Sequence, residues 1–377
     1  MSKPTRELYI GLMSGTSMDG IDAAIIEFAP CHTTIVATYC HPIPTYLQRA
    51  IQLLFSPGDD GIDALGSADQ QLGICFAQAT SALLKQAGLK SSDITAIGSH
   101  GQTVRHRPPS ADTPHPFTLQ IGDPNIIAAH TGITTVADFR RRDMALGGQA
   151  APLVPAFHHS IFHCEKTSRA IVNIGGISNI TLLPAEGEVQ GFDTGPGNRL
   201  LDDWIKQHQN KAFDDNGEWA KRHTSDRRLL EQLKTHPFLQ RATPKSTGRE
   251  EFNKDWLDRQ LEEFTHLSPG IVQATLLAFT AETITDAITA LPLEVDEVFI
   301  CGGGALNTAL MDSLGNLLKP VKVASTAVLG IAPEWVEAAA FAWLARQTLA
   351  GLAGNVPAVT GAKNLTVLGG IYPSYST

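Results

Sequence analysis

Between residues 8 and 28 the chain changes character twice. An apolar run (Leu8, Tyr9, Ile10, Leu12, with Gly11 among them) gives way to Ser14-Gly15-Thr16-Ser17-Met18-Asp19-Gly20, and an apolar run returns from Ile21 to Phe28. This is the pattern of a β-hairpin with a polar, glycine-containing turn. Gly15 and Gly20 can take positive φ and let the backbone approach a ligand closely. Free N–H groups and the Ser14, Thr16 and Ser17 hydroxyls can then converge on phosphate oxygens. Asp19 is placed to hold a hydrated Mg²⁺ bound to those oxygens. The same residues also suit an ordinary turn, so the rest of the chain has to decide.

The pattern returns. Residues 170–174 form an apolar strand that enters Gly175-Gly176-Ile177-Ser178-Asn179, and Ile180-Thr-Leu-Leu183 leads back. A repeat of strand, turn and strand after about 160 residues is the trace an old duplication leaves. A third buried strand, 295–301, empties into Gly302-Gly303-Gly304-Ala-Leu-Asn307. None of these turns fits G-x-x-x-x-G-K-[ST], so the chain is no P-loop enzyme. Gly195-Pro-Gly197 does not complete G-x-G-x-x-G, and Gly15-Thr-Ser-Met-Asp is not G-x-S-x-G.

The remaining segments predict an α/β layer with a mixed sheet. Residues 33–39 read as a third strand, and 63–87 as a helix with Leu65, Ala68, Leu72, Cys75, Ala79 and Leu83 on one face. A short strand at 94–99 delivers Ser99-His100-Gly101-Gln102-Thr103 at its C-terminal end, where open sheets place ligand contacts. A helix at 125–130 and a strand at 134–137 precede the charged, Gly- and Pro-containing stretch 138–155, read as a functional domain connection. Gln190-Gly-Phe-Asp193-Thr-Gly-Pro-Gly-Asn198 leads into a helix over 200–207. The polar stretch 208–265 reads as a peripheral helical insertion in which Arg249-Glu-Glu-Phe can return to the site. Ser268-Pro269 starts a long helix, Pro333-Glu334 starts another that carries Glu337, and the apolar tail 367–373 packs on a domain.

At 377 residues the chain can bury a large core and divides into two domains. A net charge of −9, with no basic run beyond residues 140–142, argues against nucleic acid or an anionic membrane as partner. No apolar stretch reads as a membrane span. The N-terminus runs straight into the first strand, with no secretory signal. The five scattered cysteines, none in C-x-x-C spacing, suit reduced thiols in a cytoplasm. His159 and His163 stand at i, i+4 beside His158 and Cys164, but no second ligand cluster supports a zinc site.

A hairpin for phosphates, its echo, and a late Gly-Gly-Gly turn for adenosine resemble the actin / hexokinase / Hsp70 ATPase superfamily. Within it, Gly11-Leu-Met-Ser-Gly-Thr-Ser-Met-Asp-Gly20, Ser99-His-Gly-Gln-Thr-Val104, Asp138-Phe-Arg-Arg141, Ala145-Leu-Gly-Gly-Gln-Ala-Ala-Pro-Leu-Val-Pro155, Asn173-Ile-Gly-Gly-Ile-Ser-Asn179 and Gly191-Phe-Asp-Thr-Gly-Pro-Gly-Asn198 resemble the anhydro-N-acetylmuramic acid kinase family. The resemblance implies two actin-like (RNase H-like) domains with mixed sheets flanked by helices, and nucleotide and substrate in the interdomain cleft. The domains are expected at 1–137, completed by about 352–377, and at 138–351. It implies an ATP- and Mg²⁺-dependent kinase that opens the 1,6-anhydro ring of 1,6-anhydro-N-acetylmuramic acid with water and phosphorylates O6 during peptidoglycan recycling. It also implies a homodimer, and two related domains hinged beside a cleft, with one hinge expected at 138–155, are expected to close on substrate in a cytoplasmic enzyme.

Water attacking the anomeric carbon needs a carboxylate base, and the resemblance puts it at Asp193. From spacing alone Asp193 is as well suited to capping the next helix. The nucleotide is expected at Gly11, Ser14, Gly15, Thr16, Ser17, Met18, Asp19, Gly175, Gly176, Asn179, Gly302, Gly303, Gly304 and Asn307, with Asp19 on the metal. Arg140 and Arg141 suit either a lactyl carboxylate or the transferring phosphate, or else an interdomain ion pair. Glu337 resembles a family residue that contacts sugar or activates water, although a lone helical Glu is usually solvated. His100, Gln102, Thr103 and Asn198 are candidates for the sugar. Three rival readings are another sugar or acyl kinase of this fold, a nucleotide-switched binding module, and a glycosidase using Asp193 and Glu337. No substrate-binding domain after residue 350 supports the second, and the third has no use for the glycine turns.

Overall fold

The computed structural model describes residues 7–15, 18, 20–29, 32–55, 61–110, 113–243, 245–248, 251–291 and 293–374. The chain forms two compact units, residues 1–161 with 335–377, and residues 162–334.

In the first unit, β1 (Glu7–Met13), β2 (Gly20–Ala29) and β3 (His32–Pro42) form an antiparallel meander. A further strand, β4 (Ala96–Ser99), runs parallel to β1. The chain then forms a separate two-stranded ribbon, β5 (Gln102–Arg107) with β6 (Phe117–Ile121), which the sequence pattern does not announce. Next comes β7 (Thr135–Ala137), parallel to β4, and the tail strand Gly370–Tyr372 pairs with it from the other side. Leu8, Ile10 and Leu12 point to one face, where they share a core with Leu72, Phe76 and Leu83 of the helix Ile62–Ala87. The opposite face takes the helix Val336–Leu349. Gly11 and Gly98 are register partners on β1 and β4. A Cβ on Gly11 would lie 1.7 Å from the Ala338 carbonyl oxygen, and one on Gly98 2.0 Å from that of Phe341. Two adjacent glycines therefore let this helix lie directly on the sheet.

The second unit repeats the plan. Its meander is β8 (Arg169–Ile174), β9 (Ile177–Leu183) and β10 (Gln190–Pro196), with β11 (Glu297–Cys301) parallel to β8 and β12 (Lys322–Ser325) parallel to β11. The order β10-β9-β8-β11-β12 matches β3-β2-β1-β4-β7 strand for strand and sense for sense. Each unit is thus an α/β layer with a mixed sheet, and the echo noted in sequence is an echo of topology. The helix Pro269–Thr289 is long and apolar enough to span a membrane by composition, contrary to the sequence reading, but it is mostly buried within this unit's core.

Three expectations change. Residues 138–161 and 335–351, placed with the second domain, lie in the first unit. The fully buried Asp143 ties the first of these to the C-terminal segment, accepting from Ala150 N–H (2.9 Å), Asn355 Nδ2 (2.9 Å) and Thr360 Oγ1 (2.8 Å). The glycine pair fixes the second. The stretch 208–265 is helical but not peripheral: Leu229, Leu230, Leu233, Phe238, Phe252, Trp256 and Phe264 sit in the unit's core. Its high mean polarity hid one apolar stripe on each short helix.

Candidate functional site

In the first unit the β1–β2 turn is partly accounted for. The buried Ser14 donates its hydroxyl to Gln102 Oε1 at 2.7 Å, so the turn is laced to the start of β5. Met18 has φ 57° and accepts a core position, its N–H bonded to the Gly15 carbonyl. Thr16, Ser17 and Asp19, and with Asp19 the metal expectation, lie outside the described residues. Thr103 accepts from Gln120 Nε2 at 3.1 Å.

Of the arginines, Arg140 points inward. Its Nε and Nη2 reach His100 Nε2 at 3.0 and 2.9 Å, and its Nη1 donates to the Ala150 carbonyl at 2.7 Å. Arginine only donates, so His100 Nε2 accepts, and its Nδ1–H donates to the Gly101 carbonyl at 2.8 Å. Burial, then the Arg140 charge, hold His100 well below the usual imidazole range, so it is neutral. Burial brings Arg140 down to about 10, while Glu337 and Asp143 pull it up, so it stays charged at neutral pH. Arg141 is exposed and paired with Asp138 at 2.7 Å.

Glu337 is not a solvated surface residue. It is half-buried in the first turn of the helix Val336–Leu349. Burial raises its carboxyl pKa, Arg140 lowers it, and Asp22 on β2 raises it. One turn on, Phe341 packs at a tilt against His100, with ring centroids 4.7 Å apart. The helix seated on Gly11 and Gly98 therefore brings Glu337, His100 and Arg140 into one neighbourhood, and Gly11 serves helix packing.

In the second unit the expected residues gather at the C-terminal ends of β8 and β11. The Gly175 carbonyl accepts from Asn198 N–H (2.8 Å) and that of Gly176 from Gly197 N–H (3.0 Å). Asn198 Nδ2 donates to the Ile174 carbonyl at 3.3 Å. The glycines divide into two kinds. A Cβ on Gly197, Gly302 or Gly304 would strike protein at 2.3–2.4 Å, whereas Gly175 and Gly303 have nothing nearer than 3.6 Å. The buried Asn173 Oδ1, beside Gly302, has no hydrogen-bond partner among the described residues. Two glycines that no neighbour crowds and an orphaned acceptor suit a ligand that meets bare backbone. Asn307 is used as a helix cap, accepting from Leu310 N–H at 3.1 Å.

Asn173, Asn179 and Asp193 are successive register partners across β8, β9 and β10, so their side chains share one face. Asp193 lies inside β10, where the ladder with β9 bulges between Asp193 and Gly195. Its N–H donates to the Lys245 carbonyl (3.0 Å) and its Oδ2 accepts from Thr247 N–H (2.9 Å). Sequence reading missed Lys245 and Thr247, and also Asp22. The only signal was a Lys-Ser-Thr-Gly run inside a polar stretch.

A family model described as anhydro-N-acetylmuramic acid kinase matches residues 7–374. A protein of Shewanella sediminis (strain HAW-EB3) bearing that name is 51% identical over 367 residues, covering 97% of this chain and 98% of its own. One from Shewanella sp. (strain MR-4), also so named, is 52% identical over 363 residues, 96% and 97% of the two chains. Among solved structures, component A of the (R)-2-hydroxyglutaryl-CoA dehydratase of Acidaminococcus fermentans aligns with a TM-score of 0.48 at 13% identity, over 89% of this chain and 96% of that one.

Proposed function

The chain belongs to the anhydro-N-acetylmuramic acid kinase family, and from that premise we propose that it opens 1,6-anhydro-N-acetylmuramic acid with water and phosphorylates O6 from ATP, giving N-acetylmuramate 6-phosphate and ADP. A role in peptidoglycan recycling follows from that substrate. In the proposed step, water attacks C1 and gives a proton to Asp193. The C1–O6 bond breaks, and O6 takes the γ-phosphoryl group as ADP leaves. The observation that carries the assignment of Asp193 is its carboxylate held at a sheet bulge by the Thr247 backbone N–H, beside Asn179. A base fixed in one orientation suits in-line attack.

The backbone at Gly175 and Gly303 would hold the nucleotide, since a Cβ at either would meet nothing nearer than 3.6 Å, with Gly176 and the Asn198 side chain beside them. Mg²⁺, when bound with ATP, supplies charge neutralisation on the phosphates. In the first unit, Arg140 is a permanent cation fixed by His100 and suits an anionic group of the sugar or phosphate. Glu337 suits a sugar hydroxyl or water. A cytoplasmic homodimer is part of the same proposal.

The test is coupled ADP release. ADP should form only when the anhydro-sugar, ATP and Mg²⁺ are all present, and chelation with EDTA should stop it. Equal release with a reducing hexosamine in place of the anhydro-sugar would favour the general sugar kinase instead.

A further inference from the structure

The loop that meets Asp193 is built as a bracket. At its two ends Phe238 and Phe252 are fully buried and pack edge to face, ring centroids 5.8 Å apart. Arg241 and Glu251 close it with a two-point ion pair at 2.8 and 3.1 Å. Inside it, the Lys245 ammonium donates to the carbonyls of Leu239 (2.9 Å) and Phe238 (3.4 Å) and lies 4.8 Å from the Phe238 ring centroid. Lys245 and Thr247 then present their backbone to the edge strand β10, one accepting from the Asp193 N–H and the other donating to its carboxylate. The contact falls at the bulge, where pairing with β9 is interrupted.

We infer that Lys245 and Thr247 are positioning residues for Asp193: their backbone fixes the carboxylate's direction, and the Lys245 ammonium, bonded to the Leu239 and Phe238 carbonyls, holds that backbone in place. This rests on the reading of Asp193 as the base. Burial, then the Arg241 charge, lower the Lys245 pKa, while the Asp193 charge raises it. The neighbouring charges are already engaged, Arg241 with Glu251 and Lys234 with Glu282 and Asp286. The Thr247 hydroxyl has no hydrogen-bond partner among the described residues, so its removal leaves the bracket intact.

The experiment is kcat and KM, for the anhydro-sugar and for ATP, in wild type, Asp193→Asn, Lys245→Met, Lys245→Arg, Thr247→Ala and Thr247→Pro, each checked for folding by thermal melting. Thr247→Ala keeps the N–H and should retain most activity. Thr247→Pro removes the N–H and should lower kcat on the order of a hundredfold with KM for ATP unchanged. Lys245→Met loses the bonds to the Leu239 and Phe238 carbonyls and should lower kcat about tenfold, again with KM for ATP unchanged, and Lys245→Arg should restore most of it. Wild-type kcat in a folded Thr247→Pro overturns the inference. If Thr247→Pro does not fold, the Lys245 pair decides alone: wild-type kcat in Lys245→Met, or a KM for ATP that rises with the loss, overturns it. An active Asp193→Asn would instead remove the base reading; an inactive one with a fully active Thr247→Pro or Lys245→Met removes only the positioning role.

Discussion

Gly11→Ala is the sharpest perturbation of the first unit. The added Cβ would lie 1.7 Å from the Ala338 carbonyl oxygen, 2.6 Å from its carbon and 2.9 Å from the Ala342 nitrogen. All three are backbone atoms, so no side chain can turn aside. Restoring an ordinary contact of about 3.4 Å lifts the helix Val336–Leu349 by roughly 1.7 Å at that point. Overpacking of this kind destabilises by about 3 kcal/mol, the upper part of its usual range, because the helix and a central strand are both rigid. Glu337 immediately precedes Ala338, so its carboxylate moves too, and a misplacement of more than about 1 Å lowers kcat on the order of a hundredfold. Urea denaturation followed by circular dichroism gives the first quantity, and ADP release gives the second. Gly66→Ala is the control: Gly66 is exposed in the helix Ile62–Ala87 with open space around it, and alanine there should stabilise by about 0.5–1 kcal/mol. A Gly11→Ala protein as stable and as active as wild type would refute the packing argument.

Two further outcomes follow from buried polar groups. His158 is fully buried and burial pushes its pKa down to about 3. The unfolded chain then binds a proton below about pH 6.5 that the folded chain refuses, so stability is lost as pH falls, by about 2 kcal/mol between pH 7 and pH 5. Denaturant melts of His158→Gln should show a shallower acid slope than wild type, and equal slopes would count against this. Asp143→Asn replaces an acceptor of three hydrogen bonds with a group that must turn a donor toward one of its partners. Its unfolding free energy should drop by about 2–3 kcal/mol in urea, and a change too small to measure would mean the tie between residues 143–150 and 355–360 is not structural.

The hairpins and glycine turns were legible because turn chemistry and apolar runs are local signals, and the repeated strand order followed from them. Which glycine does what was not legible. Gly11 and Gly98 serve a helix more than 230 residues further along the chain, while at Gly175 and Gly303 a Cβ would meet nothing nearer than 3.6 Å, and nothing in their flanking residues separates the two kinds. Arg140 and Arg141 are likewise adjacent in sequence; only the fold turns one toward His100 and the other toward Asp138. The 208–265 stretch was misread because its apolar residues are spread over several short helices, so mean polarity hid both the core they build and the loop that meets Asp193. The domain boundaries shifted for a similar reason: a single buried carboxylate, Asp143, ties two distant segments together, and its partners are visible only in three dimensions.

The most direct test of the account is the fate of water's oxygen. Turnover of 1,6-anhydro-N-acetylmuramic acid with ATP in oxygen-18 water should place the label at C1 of the phosphorylated sugar and none in its phosphate. Asp193→Asn should lose on the order of a thousandfold or more in kcat without weaker ATP binding. Unlabelled C1, or label in released inorganic phosphate, or a fully active Asp193→Asn, would contradict water attack through Asp193 joined to phosphoryl transfer.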